Sequence, residues 1–124
     1  MIYDLEERTK NFSIKLLLFI KTVKINSLNN NIILQLSRSA TAIGANYREA
    51  NGASSRKDFK NKVAISRKEA KETEYWIEIL ASIEPILKSE LRIFWKEAHE
   101  LVLVFGKIYY SLDNKFENLK FNIV

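Results

Sequence analysis

The stretch Arg56-Lys-Asp-Phe-Lys-Asn-Lys-Val-Ala-Ile-Ser-Arg-Lys-Glu-Ala-Lys-Glu-Thr-Glu-Tyr-Trp-Ile-Glu-Ile-Leu-Ala-Ser-Ile83 decides the fold. Phe59, Val63, Ser66, Ala70, Thr73, Ile77 and Leu80 recur at alternating steps of four and three, an unbroken heptad seam on one helix face. Ser55 stands where a helix N-cap belongs, with Asp58 three residues on as an acidic variant of the capping box. Pro85 closes the segment, because the residue before a proline avoids the helical conformation. The seam is small at Ser66, Ala70 and Thr73, so a neighbouring helix can come close, and the Ile43–Tyr47 face of the preceding helix is the candidate neighbour.

Three more helices flank this one. Upstream, Ile33, Leu36, Ala40, Ile43, Tyr47 and Ala50 keep the same rhythm over about 31–51. An Asn from Asn29-Asn30-Asn31 caps that helix, and Gly52 takes the left-handed stop position. The first helix spans about 5–24 on Leu5, Phe12, Leu16, Phe19 and Val23, with Thr9 filling one turn and Asp4 as its cap. The last spans about 90–112 on Leu91, Trp95, Ala98, Val102, Phe105, Tyr109 and Leu112, capped by Ser89, with a loosely held tail from about 113. The short linkers force neighbours antiparallel. The expectation is one all-α domain over residues 1–124, an up-down-up-down four-helix bundle.

Composition agrees and narrows the chemistry. Three Gly and one Pro in 124 residues leave few breaks, and 47% hydrophobic residues are enough for a core. With no Cys there is no disulfide, thiolate metal site or thiol nucleophile. The single His99 sits in Glu97-Ala98-His99-Glu100, the wrong spacing for the Glu-x-x-His pairs of a di-iron bundle. No glycine-rich phosphate loop and no nucleophile elbow is present. The carboxylates Glu69, Glu72, Glu74 and Glu78 read as a solvated face with intrahelical pairs such as Lys68–Glu72 and Lys71–Glu74. The expectation is a protein that is not an enzyme and needs no cofactor or metal. The start Met1-Ile-Tyr-Asp-Leu-Glu-Glu has no signal-peptide pattern, and no apolar run approaches membrane-spanning length, so the expected location is cytoplasmic, off the membrane.

The net charge is +5, and its distribution is uneven. Residues 30–72 hold nine Lys/Arg against four acids, while the rest of the chain holds eleven of each. On a helical wheel with Phe59 at zero, Lys60, Arg67 and Lys71 fall at roughly 80–120° and Lys57 and Lys68 at roughly 160–180°. Arg48 and Arg56, near the turn between helices two and three, extend the patch. Such a row suits a phosphate backbone, whose contacts release counterions, more than it suits base readout. The competing reading is a face charged only for solubility.

Apolar residues also lie away from the core seam: Ile65, Trp76, Ile79 and Ile83 on helix three, Leu17 and Leu18 within Leu16–Ile20, and Leu103 and Val104 within Leu101–Phe105. A lone bundle keeps its outer faces polar, so these positions predict a homo-oligomer interface or a docking surface for a protein partner.

The run Arg38-Ser-Ala-Thr-Ala-Ile-Gly-Ala-Asn-Tyr-Arg-Glu-Ala-Asn-Gly52, then Ser-Ser-Arg-Lys-Asp-Phe59 and Ala64-Ile-Ser-Arg-Lys-Glu-Ala-Lys-Glu-Thr-Glu-Tyr-Trp-Ile-Glu-Ile-Leu80, resembles the bacterial four-helix bundle protein family. That family includes the intervening-sequence proteins of large-subunit ribosomal RNA genes and the accessory variability determinant of diversity-generating retroelements. The resemblance implies a homopentamer, nucleic-acid binding through basic residues and, for retroelement members, a reverse-transcriptase partner. It places Asn46, Glu49, Glu69 and Glu74 as polar contacts between helices or subunits. Ser66-Arg67-Lys68 departs from the small or apolar residues common there, which strengthens the basic stripe. The function expected is an oligomeric accessory protein that binds RNA or DNA; the alternative is a protein-interaction scaffold.

Overall fold

The computed structural model describes the backbone of residues 2–123 and the side chains of residues 5–113. Four helices make the molecule: α1 (Ile2–Lys21), α2 (Asn30–Asn51), α3 (Arg56–Ile83) and α4 (Lys88–Ile123), with one 3-10 turn at Pro85–Leu87. No strand occurs among the described residues.

Cross-helix pairs fix the topology. Glu49 meets Lys62, Ile43 meets Ser66 and Arg38 meets Glu72, so each step forward on α2 is a step back on α3. Glu78 meets Trp95 and Glu74 meets His99 in the same reversed order between α3 and α4. Glu6 meets Arg48 and Ser13 meets Ala40 between α1 and α2. The fold is the up-down-up-down bundle expected. α2 and α4 pack broadly on α3 and α1 packs on α2, while α1 touches α4 only thinly.

The core follows the four stripes. Ile33, Leu36, Ala40, Ile43, Tyr47 and Ala50 are all buried, as are Val63, Ser66, Ala70, Thr73, Ile77 and Leu80. In α1, Ile20 is buried and Phe19 only partly so, while Val23, expected inside this helix, lies beyond its end at Lys21 and is partly buried; in α4, Leu101 is buried while Trp95 and Tyr109 are partly so. The small seam residues bring backbones together. Ser66 donates its hydroxyl to the Ile43 carbonyl at 3.0 Å, and the Thr73 and Ser39 hydroxyls lie 2.9 Å apart. Between α1 and α2, Ser13 donates to the Ala40 carbonyl at 3.2 Å, and buried Thr9 lies against Gly44. Each buried hydroxyl has a partner, so none carries the cost of an unmet polar group.

The helix ends differ from expectation in instructive ways. Ser55 does cap α3, accepting from the Asp58 N–H at 3.0 Å, and α3 stops two residues before Pro85. Asn29 does not cap α2 through its side chain; the side chain is buried and donates to Glu84 at 2.7 Å and to the Lys24 carbonyl. Asn26 accepts from the Leu28 and Asn29 N–H groups, so the α1–α2 turn is knotted to the end of α3. Gly52 keeps negative φ (−97°) and closes α2 with an N–H to the Glu49 carbonyl, not with a left-handed residue. Ser89 is not a cap, because Pro85 opens a 3-10 turn that runs directly into α4 at Lys88. α1 starts at Ile2, which puts Asp4 inside its first turn, and the Asp4 side chain lies outside the described residues. The fourth helix does not end near 112: with no Pro or Gly from Lys107 to Ile123, the backbone ladder continues to Ile123. Side chains beyond Asp113 lie outside the described residues. No helix among the described residues is long and apolar enough to cross a membrane.

The close packing of α1 on α2 is testable at its tightest point. A β-carbon at Gly44 would lie 3.0 Å from Thr9 Oγ1, whereas one at Gly52 would meet nothing nearer than 3.7 Å. Gly44→Val is expected to cost about 1–3 kcal/mol in a urea unfolding curve through overpacking. Gly52→Ala is expected to be neutral or to stabilise by up to about 1 kcal/mol. A silent Gly44→Val would mean that the two helices are not in backbone contact.

Candidate nucleic-acid interface

α3 turns its two flanks to different neighbours, and this sorts its charges. One flank faces α2. There Lys62 pairs with Glu49 at 2.9 Å, and Arg38 pairs with Glu72 at 2.5 Å and Glu69 at 3.5 Å. Glu72 also accepts from the Trp76 indole at 3.2 Å. Burial raises the Glu69 pKa, against the pull of Arg38. Burial opposes ionisation of Glu72 as well, but hydrogen bonds from Arg38 and Trp76 outweigh it and hold its pKa low. The other flank faces α4. There His99 stacks on Trp95 at 4.9 Å and 9° and meets Glu74 at 3.3 Å, while Trp95 donates to Glu78. The helix-three acids therefore pair across helices, to Arg38, His99 and Trp95. The intrahelical Lys68–Glu72 and Lys71–Glu74 pairs are not formed, because α2 and α4 offer these acids better-placed partners.

The polar residues singled out by the resemblance fall out similarly. Glu49, Glu69 and Glu74 each bridge two helices. Asn46 donates instead to the Ala42 carbonyl of its own helix at 2.8 Å.

The seven candidate cations separate into three groups. Lys57, Lys68, Lys71 and Arg56 are exposed and have no ion-pair partner among the described residues. Lys60 and Arg48 are engaged. Lys60 pairs with Asp113 and lies 4.5 Å from the Tyr109 ring centroid, while Arg48 bonds Glu6 at 3.1 Å. Arg67 is different. It lies half-buried on α4, where Gly106 makes room: a β-carbon there would sit 3.1 Å from its Nε. That Nε is buried with no hydrogen-bond partner, and no carboxylate among the described residues pairs with the guanidinium. Its Cζ lies 5.8 Å from the Tyr110 ring centroid. Lys107, exposed and one turn before Tyr110 on α4, adds a cation to this side. Sequence reasoning missed Lys107 because it sits on a different helix, and missed the Gly106 seat because it joins two helices 39 residues apart. The exposed row on α3, Arg67 and the Lys107–Tyr110 strip of α4 form the candidate surface.

The apolar outer positions also separate. Leu17, Leu18, Ile65 and Leu103 are exposed, Leu18 and Leu103 by more than half. Trp76 and Val104 pack on the bundle's own core, and Ile79 is half-buried. Among the described residues, no group of three His, Asp or Glu is placed to hold a metal ion.

The Arg38 clamp carries a pH signature. Because its partner Glu72 is held below the ordinary carboxylate value, the stabilisation is complete above about pH 4.3 and is lost as pH falls through the depressed folded value. Arg38→Ala is expected to cost about 0.5–1 kcal/mol at pH 7, a figure kept small because the side chain is half exposed. Urea unfolding followed from about pH 7 down to about pH 2 should show the deficit shrinking as Glu72 is protonated; a deficit that stays constant over the whole range would mean that it does not come from the ion pairs.

A family model described as "23S rRNA-intervening sequence protein" matches residues 4–105. Among solved structures, the chain is similar to a protein from Bacteroides thetaiotaomicron VPI-5482, described as of unknown function and from the S23 ribosomal protein family. The two are 33% identical with a TM-score of 0.73, covering 84% of this chain and 96% of that one. No curated protein matches the chain. The family match takes in α1 from residue 4, all of α2 and α3 and the first half of α4, and the chain belongs to the 23S rRNA-intervening sequence protein family.

Proposed function

We propose that the protein is a non-enzymatic, cytoplasmic accessory protein that binds RNA through the phosphate backbone, using the α3 row and Arg67. The observation that carries this reading is the state of Arg67. Its guanidinium is fixed on Gly106, its Nε is buried without a partner, and no carboxylate among the described residues neutralises it. A structural arginine would normally find a carboxylate, as Arg8 does with Glu97 at 2.7 and 2.8 Å and Arg38 does with Glu72. With Nε sealed against α4, a phosphate would be taken by the Nη groups of a guanidinium whose charge no carboxylate among the described residues compensates. Lys57, Lys68 and Lys71 on the same side supply further phosphate contacts. The name of the family supports RNA over DNA.

The exposed Leu17, Leu18 and Leu103 favour a second property, assembly with copies of itself or with another protein. Self-assembly fits the first reading, because it would repeat the basic surface and multiply weak contacts. If the apolar faces act alone, the protein is a scaffold without nucleic-acid affinity.

Binding of the full chain to RNA should weaken steeply with salt. Lys68→Ala and Lys71→Ala should each reduce the slope of log affinity against log salt by about 0.7 on single-stranded RNA. Lys62→Ala, which removes a cation already paired with Glu49, should leave the slope nearly unchanged. Equal effects from all three would point to general charge and not to this surface; no RNA binding would favour the scaffold. Light scattering on Leu18→Glu and Leu103→Glu tests assembly, with loss of the larger species expected.

A further inference from the structure

We propose that Tyr110 is a stacking platform for an unpaired RNA base, so that the preferred ligand is single-stranded RNA over duplex. This rests on the reading that the α3 row and Arg67 bind RNA phosphates, and it names which form of RNA fits them. The observation is a chain of contacts across the α3–α4 seam. Lys60 Nζ lies 4.5 Å from the Tyr109 centroid, Tyr109 meets Tyr110 edge to face at 5.2 Å and 87°, and Arg67 lies over the Tyr110 ring at 5.8 Å. Two adjacent aromatic rings lie between two cations on one strip. Lys60 also pairs with Asp113.

Tyr110 is 53% exposed. Its contacts with Tyr109 and Arg67 limit the ring's freedom, so a base that stacks on it loses little further entropy. Arg67 beside the ring is placed to take the phosphate next to that base. Base–aromatic stacking tolerates any base but needs one that is out of a helix. A duplex offers only its backbone and a shallow minor groove to such a surface.

Tyr75 supplies an internal contrast. It is equally exposed at 53%, but it shares its hollow with Glu74, Glu78 and His99 as well as Lys71. Two carboxylates beside the ring repel a phosphate chain, so Tyr75 is not expected to stack a base.

The test uses the full chain with two probes, a single-stranded RNA of about 12 nucleotides, within the usual site size, and a blunt RNA duplex of similar length. Tyr110→Ala is expected to weaken single-strand binding roughly ten-fold, with the salt slope and duplex affinity unchanged. Tyr110→Phe should bind as the parent does, and Tyr75→Ala should have no effect. A 2-aminopurine placed in the single strand should be quenched by the parent and by Tyr110→Phe, but not by Tyr110→Ala. If Tyr110→Ala leaves single-strand binding intact while Lys68→Ala and Lys71→Ala still weaken it, the platform is overturned and backbone binding stands. Equal loss on the duplex, or equal loss from Tyr75→Ala, overturns it too. Failure of the parent to bind either probe removes both readings together.

Discussion

Everything in this bundle is arranged around buried small polar side chains that hold three helices at backbone distance. Ser66 reaches the Ile43 carbonyl, Thr73 meets Ser39, Ser13 reaches the Ala40 carbonyl, and Thr9 fits only because position 44 has no side chain. Leucines at these points would have held α1, α2 and α3 further apart. The hydroxyls fill the narrow gaps and satisfy their own hydrogen-bonding needs within them, so the desolvation cost of close approach is offset by internal bonds. α2 and α3 become the central pair of the molecule, with α1 closing on α2 and α4 on α3.

That choice decides where charge can go. With the seam of α3 committed to α2, its flanks lie over α2 and α4, and each flank collects partners from the helix it covers. The flank over α2 is neutralised by Arg38 and Glu49. The flank over α4 finds hydrogen-bond partners toward its C-terminal half, His99 for Glu74 and Trp95 for Glu78, and stays uncompensated at Arg67. The basic surface is therefore what remains after the bundle has used the charges it needs. Lys60, part of the same row on a wheel, is spent on Asp113, while its neighbours Lys57 and Lys68 are not.

How much of this could be read in advance depended on whether the signal was local. The bounds of α3 were legible because Ser55 and Pro85 act within a few residues of themselves. The identity of the face that meets α2 was legible because small residues at heptad spacing have one structural meaning. Asn29 was misjudged because its partner, Glu84, is 55 residues away. Ser89 was misjudged because a proline-led 3-10 turn can feed a helix without a pause, and Gly52 because an ordinary helical ladder closes there without help. At the candidate site, the row of cations could be read from a wheel. Which of them are spent could not, because that depends on residues of other helices, Asp113 for Lys60 and Glu6 for Arg48, and the seat of Arg67 likewise depends on Gly106 of α4.

The thin contact between α1 and α4 has a consequence of its own. That seam is held by the Arg8 fork on Glu97 and by Phe94 against Phe12 and Phe19, with a groove of about 660 Å³ beside it. α1 is anchored closely on one side only, so the bundle has a built-in line of opening. Sub-global unfolding starts where few contacts must break, which makes α1 the helix whose amides would exchange first and leaves α2, α3 and α4 as a three-helix remnant that still carries the whole basic row.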